Sequence, residues 1–325
     1  MRIIDPVYGK FEIKEPVLIA LIKSPSMQRL KKIKQHGLPK SDFIDFNRYE
    51  HSVGVMLLLK ILDASLEEQI AGLLHDVSHT AFSHLVDWVI GDSSKENFQD
   101  KNHKRFIKAS EIPHILEKFG FDVKKIVKIK SYSLLEQPSP NLCADRVDYG
   151  LREFHYWSNP KIVRYCLNNL TTFNQKMVFR DQKSAKIFAM NFLKLQIKHW
   201  GGKDTVLRYF LFSLILKDAL KDNIISQKDL YQDDLFILKK LRESQNKKIK
   251  NLLNLLDKKL TYKINPKLPE IKINKKFRYV DPLYLSGKKV IHLSKVDLKF
   301  KQKIEKEREL NKYGLRFNLI YSPNV

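Results

Sequence analysis

The chain has 325 residues, with 60 Lys and Arg against 36 Asp and Glu and a formal net charge of +24. With 43% apolar and 11% aromatic residues it can bury a core, which excludes a disordered basic tail protein. The longest apolar runs, Val53 to Leu59 and Tyr209 to Leu216, fall short of the roughly 20 residues that cross a bilayer.

The N-terminal MRIIDPVYGKFEI has no signal-peptide apolar region, so a soluble cytoplasmic protein without membrane contact is expected. Charge is unevenly spread. Between Lys239 and Lys312, 23 Lys or Arg accompany 8 Asp or Glu, so this segment carries +15 of the surplus. Such a surface suits phosphate-bearing partners, yet 47 of the 60 cations are Lys and a solvated lysine-rich surface reads the same way. Cys143 and Cys166 lack metal spacing and read as reduced core thiols.

Residues 1–15 form short apolar stretches broken at Asp5-Pro6 and Gly9, which predicts a small β arm. From Pro16 to about Leu260 the apolar period is mainly helical. Ser65 and Glu68 predict a capping box opening a helix over 66–79, whose stripe Ile70, Leu73, Leu74 and Val77 carries His75 and Asp76 near its end. After the Pro138 and Pro140 break, Asn141 is an N-cap for a helix to about Trp157, which aligns Asp145, Asp148, Tyr149 and Arg152 at i, i+3, i+4 and i+7. That polar stripe faces either water or a pocket. After Gly201-Gly202 a buried helix runs to about Asn223. Beyond Tyr262, Lys272 to Val280 and Lys288 to Leu293 read as strands and Lys299 to Lys312 as a charged helix. The fold class is therefore mainly α, with an N-terminal β arm and a C-terminal α+β subdomain. The boundaries expected are 1–235 for the main domain and 236–325 for the basic subdomain.

The densest chemistry lies in His75-Asp76-Val77-Ser78-His79-Thr80-Ala81-Phe82-Ser83-His84, followed by Asp87. Imidazole and carboxylate are ligand types that divalent metals accept. Side chains of adjacent helical residues point about 100° apart, so His75 and Asp76 need partners from other segments to enclose one ion. His51 in Arg48-Tyr49-Glu50-His51-Ser52 and Asp145 in Ala144-Asp145-Arg146-Val147-Asp148-Tyr149 are the candidates.

His51, His75-Asp76 and Asp145, in that order, resemble the H…HD…D signature of the HD-domain phosphohydrolases. Asp5-Pro6-Val7-Tyr8-Gly9, Gln28-Arg29-Leu30, Phe82-Ser83-His84 and Phe277-Arg278-Tyr279-Val280-Asp281-Pro282 extend the resemblance toward the deoxynucleoside triphosphate triphosphohydrolase branch. It implies an HD helical bundle with His51, His75, Asp76 and Asp145 as ligands of a divalent ion, which the residue types leave open among Mn, Fe, Mg, Ni and Zn. By family position His84, Asp87 and His103 lie beside the scissile phosphate, with His84 the principal proton donor. The resemblance implies that Gln35 and Tyr149 contact the nucleoside, that Arg48, Arg152 and His199 face phosphates, and that His79 is a pocket group. The resemblance also implies a homo-oligomer and a nucleotide substrate.

Bland alternatives stand beside these roles. Arg48 and Arg152 could form structural ion pairs with Glu50 or Asp148, Gln35 could cap a helix, Tyr149 could be core and His199 could pack beside Trp200. His36, His114, His155 and His292 default to structure. Where relatives commonly carry Gly, Gly and Pro, this chain has Ser78, Thr80 and Ala81; its loop between Gln35 and His51 is short, and Met190-Asn191-Phe192 stand where phosphate-binding arginines are expected. A metal-dependent hydrolase acting on a nucleotide, with a dNTP cleaved to deoxynucleoside and triphosphate, is the leading reading. Its rivals are a nuclease on single-stranded DNA or RNA, with 239–312 as an electrostatic track, and a non-catalytic nucleotide-sensing or nucleic-acid-binding module. A zinc-peptidase reading of His75 and His79 fails because Asp76 is a methylene shorter than the glutamate such sites use.

Overall fold

The structure is a computed structural model that describes residues 1–38 and 46–320. Part of the loop between Gln35 and His51 lies outside the described residues. The chain is mainly helical. Strands Arg2–Asp5 and Gly9–Glu12 form the expected arm, an antiparallel hairpin whose turn is tied by Asp5 Oδ1, which accepts from the Val7 and Tyr8 amides at 2.8 and 3.1 Å.

The helix Arg48–Ile61 is buried along most of its length and packs on Leu66–Leu74 and Ala144–Trp157. Its start is fixed by a complete capping box: Asn47 Oδ1 accepts from the Glu50 amide and Glu50 Oε2 accepts from the Asn47 amide, both at 2.9 Å. The box expected at Ser65 is only half formed. Ser65 Oγ accepts from the Glu68 amide, but the Glu68 carboxylate turns away and accepts from the Leu134 and Leu135 amides at 2.7 and 2.9 Å. This helix also ends earlier than the apolar stripe suggests, at Leu74. From there the backbone closes tighter turns, with the Val77 amide donating to Leu74 O and the His79 amide to Asp76 O, so successive His and Asp side chains splay around one point.

Two apolar cores result. The first surrounds the three packed helices and takes in Val280, Tyr284, Leu293, Phe300 and Ile304 from the C-terminal part. The second is built on Lys203–Lys221, which packs on Leu85–Val89 and Lys247–Leu256. Strands Leu170–Phe173, Lys176–Phe179, Leu283–Ser286 and Lys289–His292 make a four-stranded sheet in that order. Its middle junction is parallel and rests on the single pair Phe179 and Tyr284. A three-stranded antiparallel sheet places Leu315–Leu319 between Tyr262–Ile264 and Ile271–Ile273. Of the strand expected over Lys272 to Val280, only its first residues pair, within Ile271–Ile273. The remainder joins no ladder among the described residues and is held by side-chain bonds. The helix Leu298–Lys312 matches the charged helix expected there.

Glu68 supports two amides from inside the protein, so Glu68→Ala leaves buried donors unpaired and should lower stability by about 2 kcal/mol. Urea unfolding should show a lower midpoint with an unchanged slope.

Candidate metal centre and cleft

The centre is assembled from three helices and the turn after the second. His51 comes from Arg48–Ile61, His75 caps Leu66–Leu74, Asp76 follows it, and Asp145 lies in the first turn of Ala144–Trp157. His51 Nε2 stands 3.1 Å from Asp145 Oδ1, 3.2 Å from His75 Nε2 and 3.6 Å from Asp76 Oδ2. His75 Nε2 lies 3.5 Å from Asp76 Oδ1 and 3.6 Å from Asp145 Oδ1. The candidate ligand atoms of His51, His75 and Asp76 fall within 4.8 Å of one another.

Both imidazoles are oriented through their other nitrogen. His51 Nδ1 is 2.7 Å from Asp148 Oδ2, and His75 Nδ1 is 2.7 Å from Gly72 O. A donor bond at Nδ1 leaves Nε2 as the lone-pair nitrogen, the tautomer a metal requires. Two imidazoles and two carboxylates so arranged fit a divalent ion. Burial pushes the His75 ring toward neutrality, but Asp76 and Asp145 outweigh it and lift its pKa to about 9. Burial likewise opposes ionisation of Asp145, which His51 and His75 overcome, holding it well below the usual carboxylate range.

Behind His51 runs a chain of ion pairs. Arg152 Nε donates to Asp148 Oδ2 at 2.8 Å and its Nη2 to Asp5 Oδ2 at 2.6 Å. Gly54 makes room for this chain, since a Cβ there would lie 1.9 Å from Arg152 Nη2 and 2.1 Å from Asp148 Oδ1. Arg152 is thus a correction to the sequence reading. It is wholly buried with its guanidinium committed to two carboxylates, and it does not line the cleft.

Three of the four candidate ligands, His75, Asp76 and Asp145, open onto a cleft of about 1120 Å³, and His51 lies buried behind them. Arg48 sits at its edge, donating to Asp76 Oδ2 at 2.5 Å and to Ser83 Oγ at 2.9 Å, while Glu50 is spent on its own helix cap. His79 Nε2 is 3.2 Å from Asp76 Oδ1, and its ring meets that of His84 edge to face at 5.0 Å. His103 joins them, its Nδ1 3.3 Å from Ser78 Oγ. Burial first, then the Arg48 charge, lowers His79 to about 4 and pulls His84 well below the ordinary imidazole value. Burial, then the His75 charge, brings His103 to about 4. Asp87 lies behind His84 with Oδ2 3.7 Å from His84 Nδ1, accepts from the Phe98 amide, and is raised to about 6 by burial. Gln35 and Tyr149 line the cleft; among the described residues the buried Gln35 Oε1 has no hydrogen-bond partner, and the Tyr149 ring packs on Trp200 at 5.4 Å. His199 is a second correction: its ring lies 4.5 Å from Trp157, beside the cleft rather than in its lining.

The turn that delivers His84 is strained. Phe82 and Ser83 both take left-handed backbone, φ 60° and 53°. Anchors on every side hold it: Asp234 Oδ1 accepts from the Phe82 amide at 2.7 Å, Leu230 O from the Ala81 amide, and Lys34 O from Ser83 Oγ. Arg29 bonds Val77 O and His79 O with one nitrogen and Tyr231 O and Gln232 O with the other. Sequence reasoning missed His36 and Glu153, paired at 2.8 Å in the cleft wall, because their partnership spans over a hundred residues. It also missed Glu136 and Lys275, Lys276 and Arg278 as lining residues.

An HD-domain family model matches residues 48–151, the span from Arg48 to Leu151 that contains all four candidate ligands. Over 335 aligned residues the chain is 36% identical to the uncharacterised protein YdhJ of Bacillus subtilis, covering 98% of this chain and 99% of that one. The chain belongs to the HD-domain family. Within that family it falls among the metal-dependent phosphohydrolases. The metal-dependent phosphohydrolase cns2 of Cordyceps militaris is 39% identical over 153 residues, 46% of this chain and 44% of that protein. The human deoxynucleoside triphosphate triphosphohydrolase SAMHD1 is 39% identical over 105 residues, covering 27% of this chain and 17% of that protein. A phosphohydrolase of Bacteroides thetaiotaomicron shares the fold across 98% of both chains, with a TM-score of 0.71 at 17% identity. This HD-domain chain has no helix, among the described residues, long and apolar enough to cross a membrane.

Asp148→Asn should weaken Mn²⁺ binding by about 10- to 100-fold by freeing the His51 ring, and Gly54→Ala should cost about 1–3 kcal/mol of stability by crowding the same pair. Titration calorimetry and urea unfolding measure the two effects. A proton sits on His75 below about pH 9 in the metal-free protein and must leave for a metal to bind. Mn²⁺ affinity should therefore rise from pH 7 to 9 and level off above it, with proton release visible as a buffer-dependent heat.

Proposed function

We propose that this HD-domain phosphohydrolase cleaves the phosphate ester of a nucleotide, and that a dNTP is split to deoxynucleoside and triphosphate. The observation that carries the reading is the cleft itself: it is lined by His75, Asp76 and Asp145 of the candidate ligand set, by the three imidazoles of His79, His84 and His103, and by the rings of Tyr149 and Trp200. A divalent ion held by His51, His75, Asp76 and Asp145 would supply a water of lowered pKa and stabilise charge at phosphorus.

The remaining work falls to this chain's own groups. His84 rests neutral because it is buried among cations. A phosphate dianion entering beside it would favour the imidazolium, which Asp87 Oδ2 behind Nδ1 would stabilise, and Nε2 could then pass a proton to the leaving oxygen. Arg48 cannot swing away, being bonded to Asp76 and Ser83 and reaching Gln35 O at 3.4 Å, so its guanidinium is held in one place. Gln35 Oε1, which no described residue fills, offers an acceptor for a nucleoside donor.

A nuclease acting on single-stranded nucleic acid is the second reading, favoured by Phe277 and Tyr279 beside Lys276 and Arg278 on the cleft wall. Purified protein given each dNTP, NTP and single-stranded oligonucleotides with Mn²⁺, Mg²⁺, Fe²⁺ or Ni²⁺ separates the two. Triphosphate release supports the first and oligonucleotide shortening the second. His75→Ala/Asp76→Ala should abolish either activity, and His84→Ala should lower kcat by about 10²- to 10⁴-fold. Product that persists in the double variant overturns the proposed centre.

A further inference from the structure

The segment 275–279 lies outside any sheet, yet all five residues line the cleft and several bonds fix it there. Lys275 Nζ donates to Trp200 O, its ammonium lies 4.9 Å from the Tyr209 ring centroid, and Asn311 Nδ2 donates to Lys275 O at 2.8 Å. The Arg278 amide donates to Gln196 Oε1 at 3.2 Å, and its guanidinium pairs with Glu96. Lys276 Nζ reaches Lys95 O at 3.3 Å. Gln196 and Trp200 are the two ends of a π turn, Gln196–Trp200, a rare winding found mostly at functional sites. The segment is thus docked on one side to that turn and on the other to the 95–96 loop.

Three cations, Arg48, Arg278 and Lys276, bear electrostatically on His84. Arg48 and Arg278 each have a carboxylate partner, Asp76 and Glu96, whereas Lys276 is exposed at the rim and bonds a neutral carbonyl. Among the described residues the cleft lining carries eight Lys or Arg and six Asp or Glu, a formal surplus of two, although burial lowers Lys275 to about 7. With a divalent ion the lining would be net positive, which suits the charge that a polyphosphate tail concentrates on adjoining phosphates. The helix positions where phosphate-binding arginines were expected do not contribute: Met190, Asn191 and Phe192 are absent from the lining, and Phe192 packs on Tyr149 and Trp200.

We propose that Lys276 and Arg278 form the anion-binding wall of the cleft and read a polyphosphate tail, so that the ligand class is a nucleoside di- or triphosphate rather than a monophosphate or a nucleic-acid strand. This rests on the nucleotide reading above. The C-terminal segment thereby supplies the charge that the helix Gln182–Leu195 does not.

Calorimetry on the metal-free full chain with inorganic tripolyphosphate and orthophosphate tests it without requiring turnover. Tripolyphosphate should bind at least about tenfold tighter than orthophosphate, and Lys276→Gln or Arg278→Gln should each weaken it by about tenfold. Lys303→Gln, on the exposed face of Leu298–Lys312, should change nothing. Equal affinity for the two anions overturns the proposal, as does unaltered tripolyphosphate binding by Lys276→Gln, whose exposed side chain can be lost without unfolding. A matching loss in Lys303→Gln also overturns it, by pointing to a diffuse basic surface. If dNTPs are hydrolysed and neither wall variant raises KM, this inference fails while the reaction stands. If dNTPs are inert and tripolyphosphate discrimination still depends on Lys276, the wall stands and the reaction fails.

Discussion

Asp148 is the residue on which the centre depends. One carboxylate oxygen meets both His51 Nδ1 and Arg152 Nε, and Arg152 continues to Asp5 in the N-terminal hairpin. A buried ion pair is a poor source of net stability, because desolvation offsets its attraction, but it is a strong source of geometry. Here the geometry is what matters: the hairpin, the helix Arg48–Ile61 and the helix Ala144–Trp157 are locked in one mutual arrangement, and the His51 ring is locked with them. Removing either end would strand a charge in the interior, so the chain holds as a unit. Gly54 belongs to it as well, since only a residue without a side chain leaves the pair its space.

The opposite side of the centre is held differently. The His-rich turn contains consecutive left-handed residues, and no ladder or helix stabilises it. Its bonds run instead to residues 230–234, at the edge of the second core, through Leu230 O, Asp234 and the guanidinium of Arg29. The two cores are therefore joined through the active turn itself. His84 keeps its place because the second core keeps its shape.

Much of this was legible from residue types alone. Imidazoles and carboxylates are scarce in apolar helices, so His51, His75, Asp76 and Asp145 stood out wherever the chain later brought them. What escaped was anything whose meaning depends on a distant partner. Arg152 looks like a phosphate ligand in a polar stripe, yet its i−4 neighbour Asp148 and remote Asp5 take its charge. The apolar stripe of Leu66–Leu74 continues through Val77, which hid the tighter winding that spreads the ligands. Lys272 to Val280 reads as a strand because alternation reports an extended backbone, whether or not another strand pairs with it. The pull of Trp200, Gln196 and Glu96 on that segment leaves no local trace. The same holds for the basic surplus, whose sum was visible from the start while its placement against the cleft was not.

The parallel junction between Lys176–Phe179 and Leu283–Ser286 has a consequence for how the molecule comes into being. Phe179 and Tyr284 are about 105 residues apart, and the segment that carries Lys276 and Arg278 lies just before the second of them. A chain made from its N-terminus exposes His51, His75, Asp76 and Asp145 long before that pairing can close, and long-range parallel contacts are slow to form. The candidate ligand positions are thus made early and the proposed cationic wall late, so a nascent or truncated chain carries the first without the second.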